Sequence, residues 1–310
     1  MEYSVVVPVF NEKDSVKILF SEIKSAFQKI NATWEVIFVN DGSNDGSLDT
    51  LKAIQNESQN NVAIVDFRHN RGKSAALMAG FRAAAGGVVI TMDGDLQDDP
   101  KEIPAMIRKL NEGYDIVSGY KKVRHDNPFH KTIPSRIFNY LVRKSTGTNL
   151  HDINCGFKMY RREVVENLHL YGGLYRFIPV IAASNGYTIT ELPVHHRKRK
   201  YGVSKYGLSR FIGGLFDLLT VIVQTRFIKR PLHFFGKVGM VPFTIGTIIC
   251  LYLAYIHTFQ RATIGDRPLL LLGIVLIITG VQIVCTGILA EIVTYYQHAG
   301  REGGDTVLRR

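Results

Sequence analysis

The run VVITMDGDLQDDP, Val88 to Pro100, leads an oily stretch straight into four carboxylates, Asp93, Asp95, Asp98 and Asp99. Like charges this close repel, so the cluster requires a cation or a set of hydrogen-bond donors. Asp93 and Asp95 share one short loop with Gln97 beside them. Together they offer an oxygen-rich site for Mg²⁺ or Mn²⁺ that keeps positions open for the phosphates of a nucleotide. A metal there would neutralise a diphosphate as it departs. Asp-Gly is also an ordinary turn pair, and the weight of the triplet comes from its place directly after a buried strand.

The elements that would position this loop can be read from the oily runs. Tyr3 to Phe10, Trp34 to Asp41, Val62 to Phe67, Gly87 to Asp93 and Tyr114 to Tyr120 are rich in Val, Ile and Phe and read as strands. Between them, Ser15 to Ile30, Ser47 to Gln55, Ser74 to Ala85 and Pro100 to Asn111 read as helices. Alternation of the two implies an α/β domain with a mostly parallel sheet covered on both faces. Ligands of such sheets gather beyond the carboxyl ends of the strands, where Asn11-Glu12, Asp41-Gly42-Ser43 and Asp93-Gly94-Asp95 fall. Two decoys are set aside, and neither is given a part in the mechanism. Gly72-Lys73-Ser74 looks like the end of a P-loop, but Phe67 stands where the first glycine belongs; the loop from Asp41 begins like an EF-hand, but Lys52 replaces its last glutamate.

The chain has 310 residues, a formal charge of +11 and 46% hydrophobic residues, and the hydrophobic ones are unevenly spread. Gly239 to Phe259 and Leu269 to Leu289 contain no Asp, Glu, Lys or Arg, and each meets the ~20 residues that a helix needs to cross a bilayer. Arg226, Lys229, Arg230 and Lys237 precede the first span, Arg301, Arg309 and Arg310 follow the second, and the connection carries only Arg261 and Arg267. By the positive-inside rule both termini are expected in the cytoplasm, and MEYSVVVPVF lacks the marks of a signal peptide. Cys155, Cys250 and Cys285 form neither a disulfide framework nor a zinc pattern. No nucleic-acid-binding motif accompanies the basic charge, so anionic lipid and an anionic substrate are the expected partners.

VVVPVFNE (Val5 to Glu12), VNDGSNDGS (Val39 to Ser47) and MDGDLQDDP (Met92 to Pro100) resemble the successive motifs of glycosyltransferase family 2 on the GT-A fold. DINCGFKMYRREV (Asp152 to Val164), the stretch Tyr175 to Gly207 and the paired spans resemble its polyprenyl-phosphate glycosyltransferases, most closely the bactoprenol glucosyltransferase type. The resemblance implies that Pro8, Phe10, Glu12 and Asp41, with Asp93, hold the nucleotide, and that Asp93, Asp95 and Gln97 hold the metal and diphosphate. Strand-end packing remains the alternative for Pro8 and Phe10, a helix-dipole charge for Glu12 and an Asx-turn for Asp41.

A lipid-phosphate acceptor is already an anion, so its site needs cations more than a strong base. The family pattern H-x-x-R-x-x-G-x-S-K-Y is met by His196, Arg199, Gly202, Ser204, Lys205 and Tyr206, with Arg197 and Lys200 adding charge. Binding of lipid headgroups is the other reading of this patch. A second basic set, Lys121, Lys122, Arg124, Lys131, Ser135 and Arg136, matches where related enzymes keep acceptor-phosphate ligands, although the family often has arginine where Lys121 stands. Asp152 falls at the position of a proposed catalytic carboxylate, as positioning group, base or structural cap.

These readings give a catalytic domain over residues 1–205, amphipathic juxtamembrane helices over 206–235 that lie at the interface or pack on the catalytic domain, and a membrane domain over 236–310. The expected activity is inverting, metal-dependent transfer of one sugar, glucose from UDP-glucose by resemblance, to undecaprenyl phosphate at the cytoplasmic face of a bacterial inner membrane. Asp95, Asp152 and Arg199 would carry the chemistry. The alternatives are a processive polysaccharide synthase, for which two spans are too few, and a non-catalytic nucleotide-sugar-binding scaffold. Small residues in the spans, including Gly239, Gly246, Gly273, Gly280 and Gly287, permit close helix packing within or between chains, and the resemblance implies a homo-oligomer.

Overall fold

The computed structural model describes residues 1–58, 61–121, 142–143, 150–197, 208–227, 231–260 and 268–302. The chain divides into two compact units, Met1–Ile222 and Val223–Arg310.

In the first unit the five oily runs form β1 (Tyr3–Val9), β2 (Trp34–Asn40), β3 (Val62–Asp66), β4 (Val88–Thr91) and β5 (Ile116–Lys121). Between them lie α1 (Lys13–Gln28), α2 (Ser47–Glu57), α3 (Lys73–Ala83) and α4 (Ile103–Leu110). A 3₁₀ turn, Pro100–Glu102, leads into α4, and the Asp99 side chain caps it by accepting from the Lys101 amide. Two short strands complete the sheet, β6 (Lys158–Arg161) and β7 (Ile189–Val194), with α5 (Arg162–Glu166) and α6 (Ile178–Ser184) between them. The strand order is β3-β2-β1-β4-β6-β5-β7. β6 runs antiparallel to β4 and β5, and the other pairings are parallel.

Side chains alternate across a strand, and both faces of this sheet are buried. Val5, Val7 and Val9, with Val36 and Phe38, pack toward α1, α2 and α4 alongside Leu19, Phe27, Leu51 and Met106. Val6, with Ile37 and Val39, faces the other way onto Leu77, Phe81, Tyr160 and Phe177. Contact on that side is close enough to demand Gly80, since a Cβ there would meet Val6 Cγ1 at 2.2 Å. Helix α7 (Leu208–Ile222) buries Leu218 and Val221 in this second core, whereas Phe216 and Leu219 are exposed.

The second unit contains α8 (Pro231–Gln260) and α9 (Pro268–Glu302). Both are long and apolar enough to cross a membrane, and they contain the two spans read from the sequence. Gly239 meets Gly280 and Gly246 meets Gly273, so the helices run antiparallel with backbones in close approach at seven-residue intervals. Most of their large apolar side chains stay exposed, Leu251 and Leu271 among them, as suits lipid-facing helices. At the end of the hairpin opposite its connection, the Leu232 amide donates to Glu291 Oε2 at 3.0 Å, which satisfies an orphan donor of the first turn of α8.

Candidate active site

The loops after β1 and β2 are laced together. The Asn11 amide donates to Ser43 Oγ (3.0 Å), the Asn44 amide to Asn11 Oδ1 (2.9 Å) and the Glu12 amide to Ser47 Oγ (3.0 Å). Ser15 Oγ donates to Glu12 Oε2 at 2.9 Å, fixing that carboxylate at the start of α1. Asp41 is buried, and its carboxylate accepts the Arg71 amide (2.6 Å) and the Gly72 amide (3.0 Å). It therefore ties the β3–α3 loop to the end of β2 instead of closing an Asx-turn on its own loop. Gly42 sits at φ +69°, with room for no Cβ against the His69 backbone. Pro8 and Phe10 are half-buried at the end of β1, on either side of buried Val9.

The acidic loop after β4 alternates in exposure. Asp93, Asp95 and Gln97 are half-buried, whereas Gly94 and Leu96 between them and Asp98 after them are buried. Leu96 is buried at φ 63°. Asp95 Oδ1 accepts the Gln97 amide at 3.1 Å. Gln97 Nε2 lies 3.3 Å from His196 Nε2, and the Arg197 amide donates to the Gln97 carbonyl at 2.9 Å, which stitches the loop to the segment after β7. The donor set suits a hard divalent cation: two carboxylates and an amide oxygen leave the remaining positions to phosphates and water, as Mg²⁺ and Mn²⁺ sites in nucleotide enzymes do. Among the described residues no group of three or more His, Cys, Asp and Glu side chains surrounds a common point.

Behind the loop lies a charge cluster that the sequence reading missed. The Lys73 ammonium hydrogen-bonds Asp93, so the residue set aside with the P-loop decoy belongs to the site after all. Burial alone would raise Asp93, but Lys73, helped by Lys121 and Lys158, holds its carboxyl below the usual range. Asp98 responds the other way: burial and the neighbouring Asp93 charge push its carboxyl up. Its Oδ2 accepts the Asp93 amide at 3.2 Å. Lys158 is buried, its ammonium turned to the carbonyls of Ile153 and Cys155, and burial lowers its pKa. Gly156 is required by the same crowding, because a Cβ there would stand 2.6 Å from Asp93 Oδ2.

Asp152 is also buried. Its Oδ1 accepts the Asn154 amide at 3.2 Å, and its own amide donates to Glu191 Oε1 at 3.2 Å. Arg197, read as one of the phosphate-binding cations, instead makes ion pairs with Glu22 (2.8 Å) and Asp99 (2.5 Å). Lys121 closes β5 beside the cluster, where Cys155, Asp98 and Asp152 outweigh burial and raise its pKa. His196 is buried, and its backbone pairs with that of Asp98 in an isolated antiparallel β-bridge. Lys122, Arg124, Lys131, Ser135, Arg136, Arg199, Lys200, Gly202, Ser204, Lys205 and Tyr206 lie outside the described residues. A signal for Lys73 was present in the sequence: it follows the turn after β3, on the same edge of the sheet as Asp41 and Asp93.

The sequence profile "Glycosyl transferase family 2" matches residues 4–168. Over 302 residues, 96% of this chain and 89% of the relative, the chain is 40% identical to a dodecaprenyl-phosphate galacturonate synthase of Rhizobium johnstonii. It is 34% identical over 289 residues, 93% of this chain and 86% of the relative, to an undecaprenyl-phosphate 4-deoxy-4-formamido-L-arabinose transferase of Yersinia enterocolitica. Among solved structures, glucosyl-3-phosphoglycerate synthase of Mycobacterium tuberculosis in complex with Mn²⁺, UDP-glucose and phosphoglyceric acid shares the fold. Its TM-score is 0.55 at 17% identity, over 71% of this chain and 79% of that one. The half-exposed acidic loop, the GT-A sheet beneath it and relatives aligned along nearly the whole chain converge: this chain belongs to glycosyltransferase family 2, among its polyprenyl-phosphate glycosyltransferases.

Proposed function

We propose that the protein transfers one sugar from a UDP-sugar to undecaprenyl phosphate, with inversion, at the cytoplasmic face of a bacterial inner membrane. The observation that supports this reading is the acidic loop that follows β4 of the GT-A sheet, on which Asp93, Asp95 and Gln97 are half-buried, as are Pro8, Phe10 and Glu12 at the end of β1. Asp41 would act at the base through the β3–α3 loop that it holds. Asp93, Asp95 and Gln97 would hold Mg²⁺ or Mn²⁺, which when bound neutralises the diphosphate of the donor.

An acceptor phosphate oxygen attacks the anomeric carbon, the bond from that carbon to the diphosphate oxygen breaks, and UDP departs with the electron pair. No proton need be removed from an ionised phosphate, so Asp152, buried and tied to Asn154, acts as a positioning group. Lys121 and His196, together with Lys131, Ser135, Arg136, Arg199, Ser204 and Lys205, would place the lipid phosphate. Residues 1–205 would form the catalytic domain, 206–235 the interfacial helices and 236–310 the membrane domain, with both termini cytoplasmic and the chain in a homo-oligomer. The expectation of glucose finds no support in the relatives' names, which carry galacturonate and 4-deoxy-4-formamido-L-arabinose.

The test is to incubate the purified protein with undecaprenyl phosphate and a panel of radiolabelled UDP- and GDP-sugars, with Mg²⁺, Mn²⁺ or EDTA. Labelled lipid from a UDP-sugar, abolished by EDTA and by Asp95→Ala, is expected. Nucleotide-sugar binding without labelled lipid would instead favour the scaffold reading.

A further inference from the structure

One side of α9 carries amide and hydroxyl groups where lipid tails would lie. Gly273, Gly280 and Gly287 are buried and turn the opposite side of the helix to α8. Away from α8, Val275, Thr279, Gln282, Thr286, Leu289 and Val293 are all exposed. They are spaced alternately four and three residues apart, so they fall on one stripe of the helix surface. Membrane helices that pack on one another use this spacing, yet no described residue covers the stripe.

The polar members of the stripe are not equally provided for. Thr286 Oγ1 donates to the Gln282 carbonyl at 2.9 Å, which satisfies that hydroxyl within the helix. The Gln282 side-chain amide has no hydrogen-bond partner among the described residues. It stands near the middle of the apolar stretch Pro268–Thr294, about 18 Å of helix from the nearer end, too far for the side chain to reach the headgroups. An amide left against hydrocarbon has two donors and a carbonyl unsatisfied, and acyl chains can supply neither partner.

We infer that this stripe is where two copies of the chain meet in the membrane, with their Gln282 amides hydrogen-bonded to each other. The inference rests on the membrane domain and the homo-oligomer proposed above, to which it assigns a surface. Copies inserted in the same sense have parallel α9 helices, so each Gln282 lies at the depth of the other. A primary amide is both donor and acceptor, hence self-complementary across a two-fold axis. Any other occupant would need a polar group at that same depth, whereas a second copy brings one of necessity. A single polar residue within an apolar seam also fixes register and pairing.

The test uses the full-length protein in vesicles of phosphatidylethanolamine and phosphatidylglycerol, with Cys250→Ala and Cys285→Ala; Cys155 is buried and stays. Copper-phenanthroline oxidation is expected to cross-link Val275→Cys, Gln282→Cys and Leu289→Cys as dimers. The equally exposed positions one residue earlier, Ile274→Cys, Val281→Cys and Ile288→Cys, are expected to stay monomeric. By single-molecule photobleaching, Gln282→Leu should weaken association by about 3- to 30-fold, Gln282→Asn should keep part of it, and Val281→Leu should leave it unchanged. Cross-links confined to the earlier positions, or undiminished association of Gln282→Leu, would overturn the inference and leave the homo-oligomer standing. A wild-type chain that stays monomeric yet forms labelled lipid would overturn inference and oligomer together, with the transfer reaction intact. Stripe cross-links in a protein that labels no lipid from any donor would uphold the surface and overturn the proposed reaction.

Discussion

The Lys73 ammonium hydrogen-bonds the Asp93 carboxylate, joining the first turn of α3 to the acidic loop. The pair sets a pH dependence. Asp93 is held below its ordinary 3.8, so its contribution to stability is present above that value and is lost as pH falls through the lower folded one. Lys73 is held above its ordinary 10.5 because Asp93, with Tyr175, outweighs burial, so its share is present below 10.5 and is lost only as pH rises through the higher folded value. Lys73→Met is therefore expected to lower thermal stability most between these limits, with the difference closing below about pH 4. It should also cut kcat/KM ~100-fold by freeing Asp93 from its position. Melting curves across pH, with initial rates, check both.

Gly156 and Asp93 are pressed together, and the prediction is steric. Gly156→Ala places a methyl 2.6 Å from Asp93 Oδ2, which must move the carboxylate. A displacement of this kind costs about 100-fold in rate, with the circular dichroism spectrum unchanged. Wild-type turnover by this variant would show that the position of Asp93 is not critical.

Arg197 separates structural from acceptor-binding cations. It bridges Glu22 on α1 and Asp99 at the entry to α4, and its side chain is partly exposed. Arg197→Ala is expected to cost about 1–2 kcal/mol, less than a fully buried pair and more than a surface one. The loss should appear as a lower melting temperature with the KM for undecaprenyl phosphate unchanged. Arg199→Ala should raise that KM without lowering the melting temperature.

In the membrane unit, Gly280→Leu puts a Cβ 2.7 Å from the Gly239 carbonyl and from Phe243. The α8–α9 hairpin must then separate. Loss of monodispersity in detergent on mild heating is expected, and Ile278→Leu, on an exposed face of α9, should behave as wild type.

What could be read in advance follows from signal strength. β1, β2 and β4 are continuous oily runs that end in polar loops, and buried parallel strands impose that pattern. β6 is only Lys158–Arg161, charged at both ends, and β7 carries Pro193 at the sheet edge; neither length nor composition marks them as strands. The acidic loop was legible because four carboxylates in a basic chain are improbable without a purpose. Its counter-cation was not, because Lys73 lies 20 residues away and reaches Asp93 only through the packing of α3 on β1. Arg197 looked like its neighbours in a basic run, and only the fold brings Glu22 and Asp99 to it.

In the proposed reaction the sugar alone is moved onto the lipid phosphate. Its most direct test is to identify the nucleotide released when undecaprenyl phosphate and the accepted donor are turned over. UDP in equal amount to a lipid carrying one phosphate between polyprenyl and sugar is the predicted result. UMP with a lipid diphosphate sugar would mean that the bond between the two donor phosphates is broken instead, and would rule out the proposed reaction.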